Sequence, residues 1–215
     1  MTLAYRFFFV VLASVALAGC KSSEKAIYGL VHANHSVAIG SLPRLEPVIE
    51  QGPLSSTEGA QPDDAPKVFR QELAYHMAEP QDSLSFGYAK LVVTEAEVTR
   101  PGKALQAFQM ITMMTPSLLG IPLEWYRTNV KAEVQIINSK GEIIGTYAGQ
   151  GRSKVRVAMY HGYGQSKAPR LSDVQGLRLA LDQIRPQLDA DADTLRQLLR
   201  AAGPSEEVIE TSSAE

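Results

Sequence analysis

Cysteine is almost missing from this chain: its 215 residues include only Cys20. One thiol cannot form a disulfide within the chain, so we expect a packed hydrophobic core to stabilise the fold. The 45% hydrophobic content is sufficient for such a core. Neither sign of charge dominates, since 21 basic residues face 23 acidic ones. The chain therefore lacks the basic excess that is typical of nucleic-acid binding, and we expect no nucleic-acid partner.

The apolar run near the N-terminus is too short to cross a membrane. It extends from Phe7 to Ala18, about 12 residues, whereas a spanning helix needs about 20. Arg6 precedes the run, and small residues follow it, as in a bacterial secretory signal. The sequence Leu17-Ala18-Gly19-Cys20 resembles the lipobox of bacterial lipoproteins. This resemblance implies cleavage before Cys20 and acylation, for example by palmitate, of its thiol and new amino group.

The residue after the lipobox indicates which of the two bacterial membranes holds the lipoprotein. Lys21 stands where an aspartate would favour inner-membrane retention in enterobacterial lipoproteins, so the resemblance implies the outer membrane, facing the periplasm. Cleavage removes Arg6 and leaves a net charge of −3. We expect four parts: a signal peptide (1–19), a lipidated cysteine with its tether (20–35), one α/β domain (36–203) and an acidic disordered tail (204–215).

Alternating hydrophobicity predicts the strands. The clearest is Val130 to Ile137, whose apolar and polar residues alternate with a period of two. A turn at 138–141 leads to a partner strand, and Gly149-Gln150-Gly151 predicts a bulge there. With a further extended run, 154–160, these strands form an antiparallel meander. Two more strands are predicted at 36–39 and 84–99, whereas the proline-rich and glycine-rich stretch 40–66 is predicted to be irregular.

Helical spacing predicts the remaining elements. A first helix covers Pro66 to Ala78. Ser172 begins a later one through a capping box, and its apolar stripe should pack on the sheet. The stripe comprises Val174, Leu177, Leu181, Ile184 and Leu188. A separate helix is expected from Asp191 to Ala202, with Leu195, Leu198 and Leu199 inward. The fold class is a two-layer α/β (α+β) sandwich with four or five mostly antiparallel strands and two or three helices.

The segment Ala104 to Leu123 contains 20 residues without a formal charge. Three interpretations stay open. It is a core helix from Gly102 to Thr115 followed by a loop, an apolar hairpin against the membrane surface, or a docking surface for a partner protein. Pro116 and Gly120 predict exposure near residues 114–121. The candidate membrane or partner surface comprises Met110, Met113, Met114, Leu118, Leu119, Ile121 and Trp125.

No residue pattern in the chain indicates catalysis. His32 and His35 have metal-compatible spacing but lack a third ligand nearby in sequence. His161, Ser166 and Asp173 lack the surroundings of a nucleophile elbow. We therefore expect no enzyme, no metal and no cofactor.

The order of elements carries a second resemblance. A Leu119-Gly120-Ile121-Pro122 turn precedes the hairpin of Val130–Ile137 and Ile143–Tyr147. The order strand, helix, meander, helix resembles the periplasmic domain of curli-secretion-type lipoproteins. The likeness covers residues 36–188 in order only and transfers no functional residue. From the sequence as a whole we expect a non-enzymatic, lipid-anchored component of envelope assembly or of a secretion or transport complex, with an envelope protein or a second copy as partner. The alternative is a binding module for a lipid or another apolar ligand.

Overall fold

A computed structural model describes residues 42–78, 84–113, 115–118, 121–158 and 162–205. Cys20, the tether, the strand predicted at 36–39 and residues 206–215 lie outside these ranges. Ser205 belongs to the described part, and its backbone N–H donates to the carbonyl of Ser85 at 2.7 Å. The chain is therefore attached to the domain at the point where the predicted tail begins.

Within the described residues, five strands form one sheet with the order β1-β2-β3-β4, and β5 pairs with β3. The parallel pair is β1 with β2, and the other pairs are antiparallel. The strands are β1 (Glu46–Glu50), β2 (Gly87–Thr99), β3 (Glu124–Asn138), β4 (Ile143–Arg152) and β5 (Val155–Val157). The helices are α1 (Asp64–Glu72), α2 (Lys103–Ile111), α3 (Thr115–Leu118) and α4 (Ala168–Ala202). Helices pack on one face of the sheet, so the predicted fold class is confirmed.

Strand β1 lies in the stretch predicted to be irregular, and that prediction was wrong there. Its Pro47 cannot donate a backbone hydrogen bond, which excludes most central strand positions. Only β2 pairs with β1, so β1 is an edge strand and can accommodate Pro47. A 3₁₀ helix, Gly52–Ser56, follows it.

Strand β3 is longer than predicted but has the predicted alternation. Val130, Ala132, Val134 and Ile136 are buried, while Lys131 is exposed between them. The turn to β4 also forms as predicted, because Gly141 has a φ of 82° and its N–H donates to Asn138 O at 3.0 Å. The predicted meander is wrong at its third strand, since β5 pairs with the start of β3 instead of with β4.

Helix α4 closes the core with the predicted apolar stripe. Leu177, Leu181 and Ile184 are buried together with Val134 and Ile136 of the sheet. Helix α1 contacts both β1 and α4 on the same side of the sheet. It begins two residues earlier than predicted and continues as a π-helical turn, Leu73–Met77.

The predicted start and division of the last helix were wrong. Ser172 lies inside α4, where its hydroxyl is bonded to Thr128 instead of capping the helix. The helix also continues through Pro186, so no separate helix begins at Asp191. Pro186 is exposed, and the carbonyl of Asp182 that loses its partner lies on the exposed side, where water can solvate it. Leu198, predicted to face inward, is 44% exposed.

Helix α4 and β4 approach each other closely at two glycines. A Cβ atom at Gly149 would lie 2.3 Å from the carbonyl oxygen of Ala180, and one at Gly151 would lie 1.9 Å from that of Gly176. Both glycines stay paired with β3, so the predicted bulge there was wrong. The glycines instead provide room for the helix backbone.

Glutamines of α4 cover the outer edge of β4. The side-chain oxygen of Gln183 accepts a hydrogen bond from the backbone N–H of Gln150 at 3.0 Å. The side-chain amide of Gln187 donates to the carbonyl oxygen of Ala148 at 2.9 Å. Backbone groups that an edge strand leaves without partners are therefore satisfied by the helix.

Candidate functional site

The apolar segment of the sequence forms a short helix that lies beside the sheet. Pro101 and Gly102 end β2, and Gly102 has a φ of 119°, which favours glycine. Helix α2 begins directly afterwards. A Cβ atom at Gly102 would lie 3.5 Å from the Trp125 ring, and the N–H of Trp125 donates to Pro101 O at 3.3 Å. The junction between β2 and α2 thus lies against the start of β3.

The side of α2 that faces the protein contains a buried polar residue, Gln109, together with the half-buried Leu105. Gln109 is fully buried, and its side-chain amide donates to the carbonyl oxygen of Pro122 at 2.8 Å. Its side-chain oxygen accepts a hydrogen bond from the hydroxyl of Ser117, which is also buried. Gln109 therefore holds α2, α3 and the segment that returns to β3 in one arrangement.

The side of α2 that faces solvent is apolar. Exposed fractions are 54% for Phe108, 64% for Met110, 82% for Ile111 and 89% for Met113, and nearby Ile121 is 40% exposed. We call these five residues the apolar patch. Met113 is also the only non-glycine residue of the described part with a positive φ, 50°, which is uncommon for a bulky side chain. A surface helix of a domain that binds nothing normally has the opposite orientation, with apolar side chains inward.

Aromatic and basic residues border the start of α2. Trp125 is half-buried, and the Nζ atom of Lys154 lies 5.7 Å from its ring centroid. Arg156 is the strand partner of Trp125 on β5, and Arg127 follows two residues along β3. All three cations are exposed. This side of the domain therefore combines apolar, aromatic and basic groups.

The structure places only part of the predicted surface. Met110, Met113 and Ile121 are exposed, and Trp125 is half-buried. Leu118 belongs to α3, and nothing is described of its side chain. Met114, Leu119 and Cys20 lie outside the described residues.

Two large exposed residues of α2 were missing from that predicted surface: Phe108 and Ile111. The interpretation of the segment as a core helix was wrong because its large side chains face solvent. The polar residues Gln106, Gln109 and Thr112 repeat every three positions, which indicates one polar side of the helix. This repeat was the signal for an amphipathic helix, but it does not say which side faces the domain.

A cluster of charged groups lies between the ends of β2 and β3. Arg100 pairs with Glu124 at 3.3 Å and with Glu58 at 3.1 Å, and its guanidinium lies 4.7 Å from the centroid of the Tyr126 ring. Glu124 is 1% exposed, so Arg100 compensates a buried charge. Burial raises the pKa of Tyr126 to about 12, and neighbouring carboxylates contribute to the shift. The cluster joins three parts of the chain electrostatically.

A second polar group surrounds Asp173 on α4. Its carboxylate accepts hydrogen bonds from the hydroxyls of Thr57 at 2.6 Å and Thr128 at 2.7 Å. Burial raises the pKa of Asp173 above its ordinary value, and these two hydroxyls oppose the shift. The hydroxyl of Ser172 bonds to those of Thr128 and Ser153 at 2.9 and 2.7 Å. Asp173 thus belongs to an internal network that links α4 to β3.

Two cavities are informative for ligand binding. One, beside Asp173 and Gly59, has a volume of about 20 Å³, which is room for one water molecule. The other is an open depression of about 540 Å³ between β4 and α4. It is lined by Gln150, Arg152, Leu179, Asp182 and Gln183. Four of these five residues are polar, so neither space resembles an apolar ligand pocket.

The residues with metal-binding or catalytic types do not come together in what is described. His32, His35 and His161 lie outside the described residues. Ser166 is exposed, and Asp173 is used by its network. His76 on the π-helical turn is buried. Among the described residues, no three acidic, histidine or cysteine side chains form a group that could hold a metal ion.

In the part of the chain that the structure describes, no helix has both the length and the hydropathy of a membrane span. The chain was also compared with known proteins. No model of a known protein family matches it, and no curated protein sequence does.

Proposed function

We propose that the protein is a lipid-anchored periplasmic lipoprotein and a non-enzymatic component of envelope assembly or of a secretion or transport complex. The lipobox-like sequence at Cys20 supports the anchor, and Lys21 supports the outer membrane. The combination gives a folded domain that stays close to a membrane surface.

The apolar patch is the observation that carries the proposal of an interacting component. It comprises the exposed side chains of Phe108, Met110 and Ile111 on one short helix and of Met113 in the turn that follows it. Exposed apolar groups that are contiguous commonly mark a site of contact with a protein or a membrane. The charged groups near it, Arg100 and Glu124, are paired with each other and support a structural role.

The alternative is a binding module for a lipid or another apolar ligand. Such a module needs an enclosed apolar cavity of several hundred Å³. Neither the space of about 20 Å³ beside Asp173 nor the polar depression between β4 and α4 is such a cavity, so no observation on the described residues favours this function over the first.

Replacement of Cys20 tests the anchor. Wild-type protein should incorporate labelled palmitate and separate with the outer membrane, because two or more acyl chains hold a protein firmly. Cys20→Ala should lose the label and be either unprocessed or released from the membrane. Ser22→Ala, two residues away, is the matched control and should behave as wild type. A Cys20→Ala protein that stays in the outer membrane after removal of its signal peptide would contradict the proposal.

The assembly role is tested in cells. A chromosomal Cys20→Ala allele and a complete deletion should cause the same increase in envelope permeability, measured with a dye that intact outer membranes exclude. Normal permeability in both strains would refute a role in envelope assembly.

A further inference from the structure

We propose that the apolar patch inserts into the surface of the bilayer to which Cys20 is anchored. The occupant of this surface is therefore lipid. The inference rests on the proposed function, because the acylated cysteine is what keeps the patch at the membrane.

The orientation of α2 is the first argument. A helix that buries Gln109 and exposes Phe108, Ile111 and Met113 is arranged for an apolar medium outside the domain. Gln109 keeps both of its polar groups hydrogen-bonded to the protein, so immersion of the outer side removes no bond from it. Contact with lipid chains would remove the exposed apolar surface from water.

The composition of α2 is the second argument. Lys103 at its start is the one charged residue of α2, and residues 104–113 contain none. A helix that lies in the interface places its apolar side about 5–10 Å below the headgroups, and a charge on that side would oppose this. Nine residues, Lys103–Ile111, give a helix about 14 Å long, so it can lie in the surface but cannot cross the bilayer.

The residues beside the patch favour lipid over an apolar protein surface. Trp125 belongs to the aromatic type that is enriched at the headgroup level. Three exposed cations lie around Trp125: Arg127 on β3, Arg156 opposite Trp125 on β5, and Lys154 in the loop before β5. Cations at this position attract anionic lipid headgroups.

The distance from the anchor is the third argument. Twenty-two residue steps separate Cys20 from Leu42, the first residue described. Whatever its conformation, this chain cannot exceed about 80 Å. Leu42 therefore stays within about 80 Å of the bilayer, which keeps the local concentration of lipid around the domain high.

A fluorescent probe on the patch tests the inference in the full lipidated protein. Acylation leaves no free thiol on Cys20, so Met113→Cys adds the only cysteine that can be labelled with a polarity-sensitive dye. Leu198→Cys is the matched control, because Leu198 is an exposed apolar residue on α4. Both proteins are reconstituted in vesicles of phosphatidylethanolamine and phosphatidylglycerol that contain a phospholipid with a spin label in its acyl chain.

Insertion predicts several-fold stronger quenching at position 113 than at position 198, together with a blue shift at 113 only. Adding Ile111→Glu to the Met113→Cys protein should remove this difference. Equal, weak quenching at both positions would overturn the inference. The same holds if position 113 is unquenched by lipid but forms a crosslink to an envelope protein in cells.

The two proposals fail separately. Mass spectrometry of the purified protein shows whether Cys20 carries acyl chains. An acylated protein whose position 113 stays in water overturns the insertion and leaves the anchor intact. A protein without acyl chains overturns the anchor. Insertion is then tested in a Cys20→Ala/Met113→Cys protein, in which the dye labels position 113 alone, and an absence of quenching with added vesicles overturns the insertion as well.

Discussion

Helices α2 and α4 belong to the same domain but turn opposite kinds of side chain toward it. Helix α4 turns Leu177, Leu181 and Ile184 toward the sheet, whereas α2 turns Gln109 inward and its large apolar side chains outward. Burial of an apolar side chain in α4 contributes about 1.5–3 kcal/mol to folding. The same residue types on α2 contribute little until they contact something else. The core therefore accounts for α4, whereas the exposed side of α2 agrees with the contact to the bilayer that we propose.

The closest contact of α4 with the sheet should be the most sensitive position in this comparison. Gly151→Ala places a Cβ atom against the carbonyl oxygen of Gly176, where backbone on both sides must move. We expect a loss of about 4 kcal/mol in the free energy of unfolding, measured with urea. Gly164→Ala is the control, because open space surrounds that position. Equal stability of the two variants would mean that α4 lies farther from β4.

The apolar stripe of α4 should be nearly as sensitive. Leu181→Ala removes a fully buried side chain from the core and should lower the free energy of unfolding by about 2–5 kcal/mol. The control Leu179→Ala, on an exposed side of the same helix, should change it by less than about 0.5 kcal/mol. A similar loss from both would show that the stripe is not specific to one side.

Gln109 of α2 and Asp173 of α4 are both buried polar residues, but of the two only Asp173 can ionise. Because the folded-state pKa of Asp173 is raised, the folded protein holds this proton more tightly than the unfolded chain does. The stability of wild type should therefore fall, relative to Asp173→Asn, as the pH rises from about 4 through the raised pKa. Urea unfolding at several pH values measures this difference. Asp189→Asn, at an exposed site on α4, serves as control. If the difference in the free energy of unfolding between wild type and Asp173→Asn is the same at every pH, the raised pKa of Asp173 is refuted.

A substitution in the apolar patch should have the smallest effect on the free energy of unfolding. Ile111→Ser changes an 82% exposed side chain, so the free energy of unfolding in solution should change by less than about 0.5 kcal/mol. A loss above 2 kcal/mol would indicate that Ile111 is packed in the core, and the contrast between the two helices would disappear.

Local pattern was sufficient to predict the elements that bury one side against the sheet. The period of two in β3 and the stripe of α4 each follow from a single buried face. Residues such as Val134 and Leu181 were therefore placed correctly in the core. The turn at Gly141 was also predictable, because few residues adopt its backbone conformation.

Features that depend on distant parts of the chain were not predictable in this way. Pro47 is compatible with a strand only because β1 is at the edge, and the sequence does not contain the strand order. Pro186 is compatible with one continuous helix only because it faces solvent. Ser172 has the sequence of a capping residue, but its hydroxyl finds Thr128 on another element. The sequence of α2 shows that polar residues repeat every three positions. That this polar side faces the domain depends on the hydrogen bonds of Gln109 with Pro122 and Ser117.

The glutamines that cover β4 have a consequence for aggregation. A sheet edge with free backbone groups is a template on which a second chain can add a strand. Gln183 and Gln187 occupy two such groups, on Gln150 and Ala148, so another copy would have to displace them before pairing. Helix α4 thus has two roles. Its buried leucines stabilise the core, and the side-chain amides of Gln183 and Gln187 hinder the addition of a further strand at the edge of the sheet.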